Sequence, residues 1–339
     1  MSAYKKQHYV PRLYLKEFAT NQEQDKINVY DKARKMFRTN QNLMNVASEN
    51  YFYDFDLETI YNNCSDERKA EFHKIFGEDA TPKSVRDEHL VEKFLGEVVE
   101  KPYREFLDRL ISSIDRAKNN SWCLKNCMCL SEEDKKEFSY YLVIQYLRGK
   151  YLPNTFEEFC EKVVGTKISS TTSKVAQTTS LMNSKIINMM RGIILKHKWI
   201  IYINNTGFNF YTSDRPFINQ VHKFKDGIPY TQFDAPGIEI VFPITKYAIL
   251  VIYGEKAYEI MQLRYGKNIY SDEMKPEDRR FREIKNIRQV EYYNILQIAY
   301  SINEIYLSDN NKEFIEQVLG KHPEYLTKEY ITVLDSKDK

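Results

Sequence analysis

Apolar positions along the chain change period twice. Residues 1–60 alternate short extended pieces with turns: Ile27–Tyr30 predicts a strand ending in the polar turn Asp31–Arg34, and Tyr51–Tyr53 predicts another. Residues 57–84 are polar and mixed and predict a short helix and loop. From about 85 to 198 the spacing is helical, through Leu90, Phe94 and Val98, then Tyr103, Phe106, Leu107, Leu110 and Ile114. Pro102 should kink or split this segment. Ser131 with Asp134 makes a capping-box start. The helix that follows, through Phe138, Tyr141, Leu142, Ile144, Tyr146 and Leu147, is apolar nearly all round and should be central. A Ser/Thr-rich stretch, 169–180, reads as a loop or helix start before a third helix ending near Lys198.

At 199 the pattern turns extended. Trp199–Ile203 and Phe208–Thr212 flank Asn204–Gly207, a hairpin signal, and Ile238–Ile244 with Ala248–Tyr253 predicts a second pair. A charged stretch, 267–288, leads into a closing helix at about 286–306. Helices followed by strands predict an α+β fold: a helical middle (about 85–198) packed against a C-terminal antiparallel sheet (about 199–255), with short N-terminal strands. One domain over 1–308 is expected, then a short helix and charged tail over 309–339.

Composition narrows the classes. The chain has 339 residues, 42% hydrophobic and 29% charged, which is a globular balance. Its 50 Lys+Arg against 48 Asp+Glu give a net charge of +2, which excludes coating nucleic acid by bulk charge. No apolar run reaches the ~20 residues of a membrane span, and MSAYKKQHYVPR lacks the apolar stretch of an export signal. A cytoplasmic protein is expected. The 26 Tyr and 19 Phe are spread along the chain, as AT-rich coding would spread them, rather than grouped as a base-stacking platform. Of five Cys, Cys123, Cys127 and Cys129 form a CxxxCxC cluster without His or further Cys at zinc-finger spacing, so reduced thiols are expected.

No GxGxxG, Walker A, HExxH or GxSxG motif is present. The informative signal is polar side chains inside apolar stretches, because a buried unpaired polar group costs about 1–3 kcal/mol and needs a partner. Gln145 and Arg148 share a face of the apolar helix, and Asn294 and Gln297 share a face of the closing helix, extended by Ser301. Asp214 stands at a strand end in TSDRP, where it is either a turn cap or a site carboxylate; Arg215 beside it is either a phosphate ligand or a surface charge. His8, within QHYVPRLYLKEF, is either a core imidazole or an acid–base group. Glu92 and Glu100 border the long helix's apolar stripe, a position that a solvated face also explains. His89, His197, His222 and His322 carry no assigned role. The spacings Arg68–His73 and Arg191–His197 resemble the R-x4-6-H motif of small helical RNases, a spacing common by chance.

Taken together, QHYVPRLYLKEF, INVYDK and SENYFYD resemble the opening of the bacterial domain of unknown function (DUF) 4238 family. VEKFLGEVVE is similar to its helix with two spaced acids, IQYLRGK to its Gln-to-Arg helix and FYTSDRPF to its strand-end Thr-Ser-Asp-x-Pro. FPITKYAILV and YYNILQIAYSINEIY also fit. One departure is Gly149, where the resemblance leads us to expect Thr. The resemblance implies a cytosolic protein but no established activity.

Three classes of function stay open. In the first, His8, Arg148 and Asp214 are catalytic and Gln145, Asn294, Gln297 and Arg215 bind substrate in a phosphoester hydrolase acting on nucleic acid or a nucleotide, an activity suited to anti-phage defence. The sequence requires no cofactor; a divalent metal would draw on Asp214 with Glu92 or Glu100. In the second, the same cleft binds a small ligand or a protein without turnover. In the third, the polar groups form a satisfied structural network.

Overall fold

Strands buried on both faces set the architecture. The computed structural model describes residues 6–50, 52–53, 58, 61–62, 65–87, 90–161, 165–222, 233–257, 259 and 280–326. Its strands are β1 (Lys6–His8), β2 (Lys26–Asp31), β3 (Met36–Asn42), β4 (Ser48–Asn50), β5 (Lys198–Asn204), β6 (Thr212–Ser213), β7 (Ile218–Val221), β8 (Ile238–Thr245), β9 (Ala248–Tyr253), β10 (Arg282–Ile284) and β11 (Glu304–Leu307). Its helices include α1 (Lys101–Asn119), α2 (Glu132–Leu147), α3 (Ser170–Met182), α4 (Ser184–Ile194), α5 (Ile287–Tyr300) and α6 (Lys312–Lys321).

The larger sheet has the order β10-β5-β9-β8-β7, and every residue of β8 and β9 is buried. One face, through Ile201, Ile240, Phe242, Leu250 and Ile252, packs into the same core as Phe106, Phe138 and Leu142 of the helical middle. The other face, through Ile200, Val241, Ile249 and Val251, packs on Val290, Tyr293 and Leu296 of α5. Coverage on both sides explains why these strands read as continuous apolar runs rather than alternating ones. Each fully buried Ile or Val contributes about 1.5–3 kcal/mol. A strand rich in them can therefore carry an occasional buried polar residue.

The second sheet, in the order β3-β2-β11-β6, joins the N-terminal hairpin to the C-terminal part. Leu307 and Ile305 of β11 and Tyr30 of β2 pack against Ile315, Val318 and Leu319 of α6. The segment after 308 is thus tied to the second sheet through the α6 apolar face. β1 and β4 form a separate two-stranded pair.

The α+β architecture is as the sequence predicts: helices over the middle, and sheets that are mostly antiparallel. Four local expectations differ. The closing helix expected to reach about 306 ends at Tyr300, and Glu304–Leu307 is strand β11. β10 joins β5 in parallel, so the larger sheet is mixed rather than wholly antiparallel. Asn204–Gly207 does not close a hairpin, because β5 pairs with β9 and β10 whereas Thr212–Ser213 pairs with β11 of the other sheet. The expected strand at Tyr51–Tyr53 is a turn at 52–53, preceded by β4. Ser131 and Asp134 form the capping box at the start of α2, and Ser169 caps α3. Pro102 lies in the first turn of α1, within a continuous helical run and directly after a π-helical turn at Phe94–Glu100, where the backbone ladder changes register. Residues 267–279 of the charged stretch and 327–339 of the tail lie outside the described residues.

Candidate functional site

The polar residues singled out by the sequence gather in two groups, each built on one helix that grips an extended segment. In the first, α2 presents Gln145 and the residue capping its C-terminus, Arg148. Gln145 Nε2 donates to the Tyr9 carbonyl at 3.2 Å. Arg148 donates to the carbonyl of His8 and, at 2.9 Å, to Glu100 Oε1. Gln7 bonds Glu92 through its amide and the Tyr53 N–H through its carbonyl. Lys150 pairs with Glu49 of β4, the residue opposite Gln7 in the ladder. Helix α2, the π-helical turn and the β1–β4 pair therefore converge at His8.

The His8 imidazole is half-buried and its Nε2 lies 3.3 Å from the Leu43 carbonyl. A carbonyl partner makes that nitrogen the N–H and leaves the lone pair on Nδ1. Burial holds the imidazole pKa down at about 4, assisted by Arg12 and Arg148 and opposed by the Leu43 hydrogen bond and Glu100. The ring is neutral at pH 7. Arg148 is buried, and against the cost of burial the Glu100 carboxylate favours its charged guanidinium.

In the second group, α5 presents Asn294 and Gln297. Asn294 accepts from the Tyr211 N–H at 2.8 Å and donates to the Asn209 carbonyl at 2.9 Å. Gln297 accepts from Ser213 Oγ at 2.7 Å and donates to the Pro216 carbonyl at 3.2 Å. Residues 209–216 are largely irregular, and these bonds take the place of a sheet ladder. Asp214 is 1% exposed. Its carboxylate accepts from the backbone N–H groups of Ile302 (2.8 Å), Asn303 (2.7 Å) and Glu304 (3.0 Å). Burial raises its pKa, whereas those three bonds and the nearby Lys32 lower it. The Lys32 ammonium is bonded to the carbonyls of Ile298, Ser301 and Tyr325 at 3.0, 2.5 and 2.9 Å. Desolvation brings its pKa down to about 8.

Tyr9 touches both groups. Its carbonyl takes the Gln145 bond, and its phenol, whose pKa is raised by burial, feels Asp214 and Glu304 and bonds Tyr306. His8 and Arg148 are brought together. Asp214, Asn294 and Gln297 lie in the other group, and the Asp214 carboxylate is committed to main chain. Glu92 and Glu100 reach His8's surroundings but are engaged by Gln7 and Arg148. Among the described residues no three His, Cys, Asp or Glu side chains converge as a metal ion would need.

Arg215 is buried, not a surface charge. Its guanidinium lies over the Tyr151 ring at 3.9 Å and the Tyr300 ring at 5.1 Å, and donates to Asn219 at 3.2 Å. Tyr151 also explains Gly149: a Cβ there would meet the Tyr151 ring at 2.4 Å, so the expected Thr would displace the ring that stacks on Arg215. Arg191 donates to Ser139 and the Lys136 carbonyl, and His197 contacts the Phe233 carbonyl, so that Arg–His spacing serves packing. His73 bonds Tyr61 at 2.7 Å; the Arg68 side chain and His89 lie outside the described residues.

Sequence reasoning missed a third group. His222 Nε2 lies 3.0 Å from Glu239 Oε2, and Tyr292 donates to the same oxygen at 2.6 Å. Both His222 and Glu239 are buried between the larger sheet and α5. The signal was available: Glu239 interrupts the apolar run IEIVF as Gln145 interrupts LVIQYL.

The fold and its polar framework define an α+β protein in which two helices brace irregular segments through buried amides and a guanidinium. The chain belongs to the family described as Protein of unknown function (DUF4238), whose match covers residues 6–311. No curated protein matches the chain, and no solved structure does. No helix among the described residues is long and apolar enough to cross a membrane.

Proposed function

We propose that the chain is a metal-independent phosphoester hydrolase acting on nucleic acid or a nucleotide in the cytoplasm, with its site at His8. The observation that carries this reading is a neutral imidazole set among cations. Arg12, exposed, and Arg148 both act on the ring electrostatically, and Lys150 lies on the adjoining β1–β4 pair. An Nδ1 lone pair can take a proton from a nucleophile, and Arg12 and Lys150 can face a phosphate. Asp214 and the α5 amides serve in this reading as the frame that holds the N-terminal segment, through Tyr9. Cleavage of foreign nucleic acid would suit anti-phage defence.

A second reading is a binding module on a structural polar network, favoured by the saturation of the Asp214 carboxylate by three main-chain amides. One panel separates them. The purified chain is incubated with RNA, single- and double-stranded DNA and nucleotides, with divalent cation or with chelator, alongside His8→Ala, Arg12→Ala and Lys150→Ala. Cleavage in chelator that disappears in His8→Ala at unchanged melting temperature supports the hydrolase. Retention of nucleic acid without cleavage supports the second reading. Cleavage that persists in all three variants, or neither binding nor cleavage, overturns the His8 site.

A further inference from the structure

The CxxxCxC cluster has no part in the site above. Cys123 lies in the short helix Ser121–Asn126 and Cys127 caps it, with the Cys127 N–H bonded to the Cys123 carbonyl at 2.9 Å. One helical turn of this kind separates Cα atoms by about 6 Å, inside the ~4.4–6.8 Å span that a disulfide bridges. Cys127 is also where the backbone leaves the helix, so its side chain is not confined to helical directions. The two thiols touch: Cys127 bonds the Cys123 sulfur, which raises the Cys127 pKa above its ordinary value. Both are free and partly exposed, whereas Cys129 is buried in the main core.

Access fits a reaction at these sulfurs. Cys123 lines an open cavity of about 710 Å³ together with Arg116, Asn119 and Asn120. At Cys127 the bond to Cys123 and burial outweigh the opposing pull of Arg116, so the second thiol stays protonated until it attacks. We propose that Cys123 and Cys127 form a solvent-facing dithiol that is oxidised reversibly to a disulfide by a low-molecular-weight disulfide. The Cys123 thiolate attacks one sulfur of RSSR, the S–S bond breaks and RS⁻ leaves, giving a mixed disulfide. Cys127 gives its proton to solvent and attacks the Cys123 sulfur, releasing the second RS⁻. The protein loses two electrons and two protons, and RSSR becomes two RSH.

The oxidised pair would cross-link the turn that Met128 and Arg280 bridge, where Arg280 donates to the Lys125 carbonyl at 3.1 Å. The test equilibrates the full chain in buffers of oxidised and reduced glutathione, used as the probe disulfide, then alkylates free thiols and maps them by mass spectrometry. The expected result is a bridge between Cys123 and Cys127, lost on adding dithiothreitol, with Cys129 and Cys160 alkylated. Cys127→Ser should instead accumulate one glutathione on Cys123, and Cys129→Ser should keep the bridge. Failure to form the bridge at the most oxidising ratio, or a bridge using Cys64, Cys129 or Cys160, overturns the proposal.

Discussion

Arg148, 2% exposed, donates to the Glu100 carboxylate at 2.9 Å, and this pair locks the end of α2 to the π-helical turn before α1. Removing one partner of a buried pair strands the other charge, typically at about 3–5 kcal/mol. Glu100 keeps 29% of its side chain exposed, so solvent supplies part of the compensation. Glu100→Gln is expected to lower stability by about 2–3 kcal/mol, read from the urea midpoint at constant slope. A midpoint equal to wild type would show that the pair is not a brace.

Two groups should give opposite pH dependences. The folded-state pKa of His8 is about 4 against 6.5 for an unperturbed imidazole. Between those values the unfolded chain takes up a proton that the folded chain refuses, so this contribution to stability is lost as pH falls from 6.5 to 4. Glu17 behaves inversely. Burial and the facing Asp108 and Asp115 raise its pKa from 4.5 to about 7, against the opposing pull of Lys16 and Lys246. Its contribution is present at pH 4.5 and lost as pH rises through 7. Each is worth roughly 3 kcal/mol at ~1.4 kcal/mol per pH unit, so between pH 4.5 and 6.5 they largely cancel. Relative to wild type, His8→Gln should gain stability on going from pH 7 to 4.5, and Glu17→Gln should gain on going from pH 5 to 8. Chemical denaturation across this range checks both; variant curves parallel to wild type would refute the assignment.

Asp214→Asn keeps the shape of the side chain but offers one carbonyl oxygen to three backbone donors. Losing charge-assisted bonds to buried amides should cost about 2–4 kcal/mol. Hydrogen exchange at Ile302, Asn303 and Glu304 should accelerate more than exchange in β8. Unchanged protection there would mean that the loop holds its form without the carboxylate.

His222→Leu removes the imidazole beside Glu239, whose Oε1 has no hydrogen-bond partner among the described residues. Tyr292 alone would then support a buried carboxylate. The expected loss is about 3 kcal/mol, most of it recovered when Glu239→Leu is added, because an apolar pair of similar volume carries no desolvation cost. Additive losses in the double variant would contradict coupling of the two groups.

The amphipathic and capping signals were legible because they are local. The start of α2 at Ser131 and Asp134, the apolar circumference of Phe138–Leu147 and the β8–β9 hairpin each depend on residues within a few positions of one another. The same is true of the choice of Gln145, Arg148, Asn294 and Gln297: a polar group in an apolar run must find a partner, and each has one. Their partners are mostly main-chain atoms of extended segments, which no side-chain pattern announces. Asn204–Gly207 shows the same gap, since a turn sequence records that the chain can reverse, not which strand will lie beside it.

The sequence alone determined the order of helical and extended segments, the family and which polar residues had to be buried, since these follow from period, motif order and the cost of desolvation. Only the tertiary structure decided that β5 pairs with β10 rather than β6, that Asp214 spends its charge on the amides of 302–304, and that His222 meets Glu239. Those pairings join residues 17 to 90 positions apart, from His222 with Glu239 to Asp214 with Glu304, and the β5 and β10 partners Tyr202 and Arg282 are eighty apart. Such contacts are selected by how whole faces pack, and that competition is settled only when the entire chain is folded.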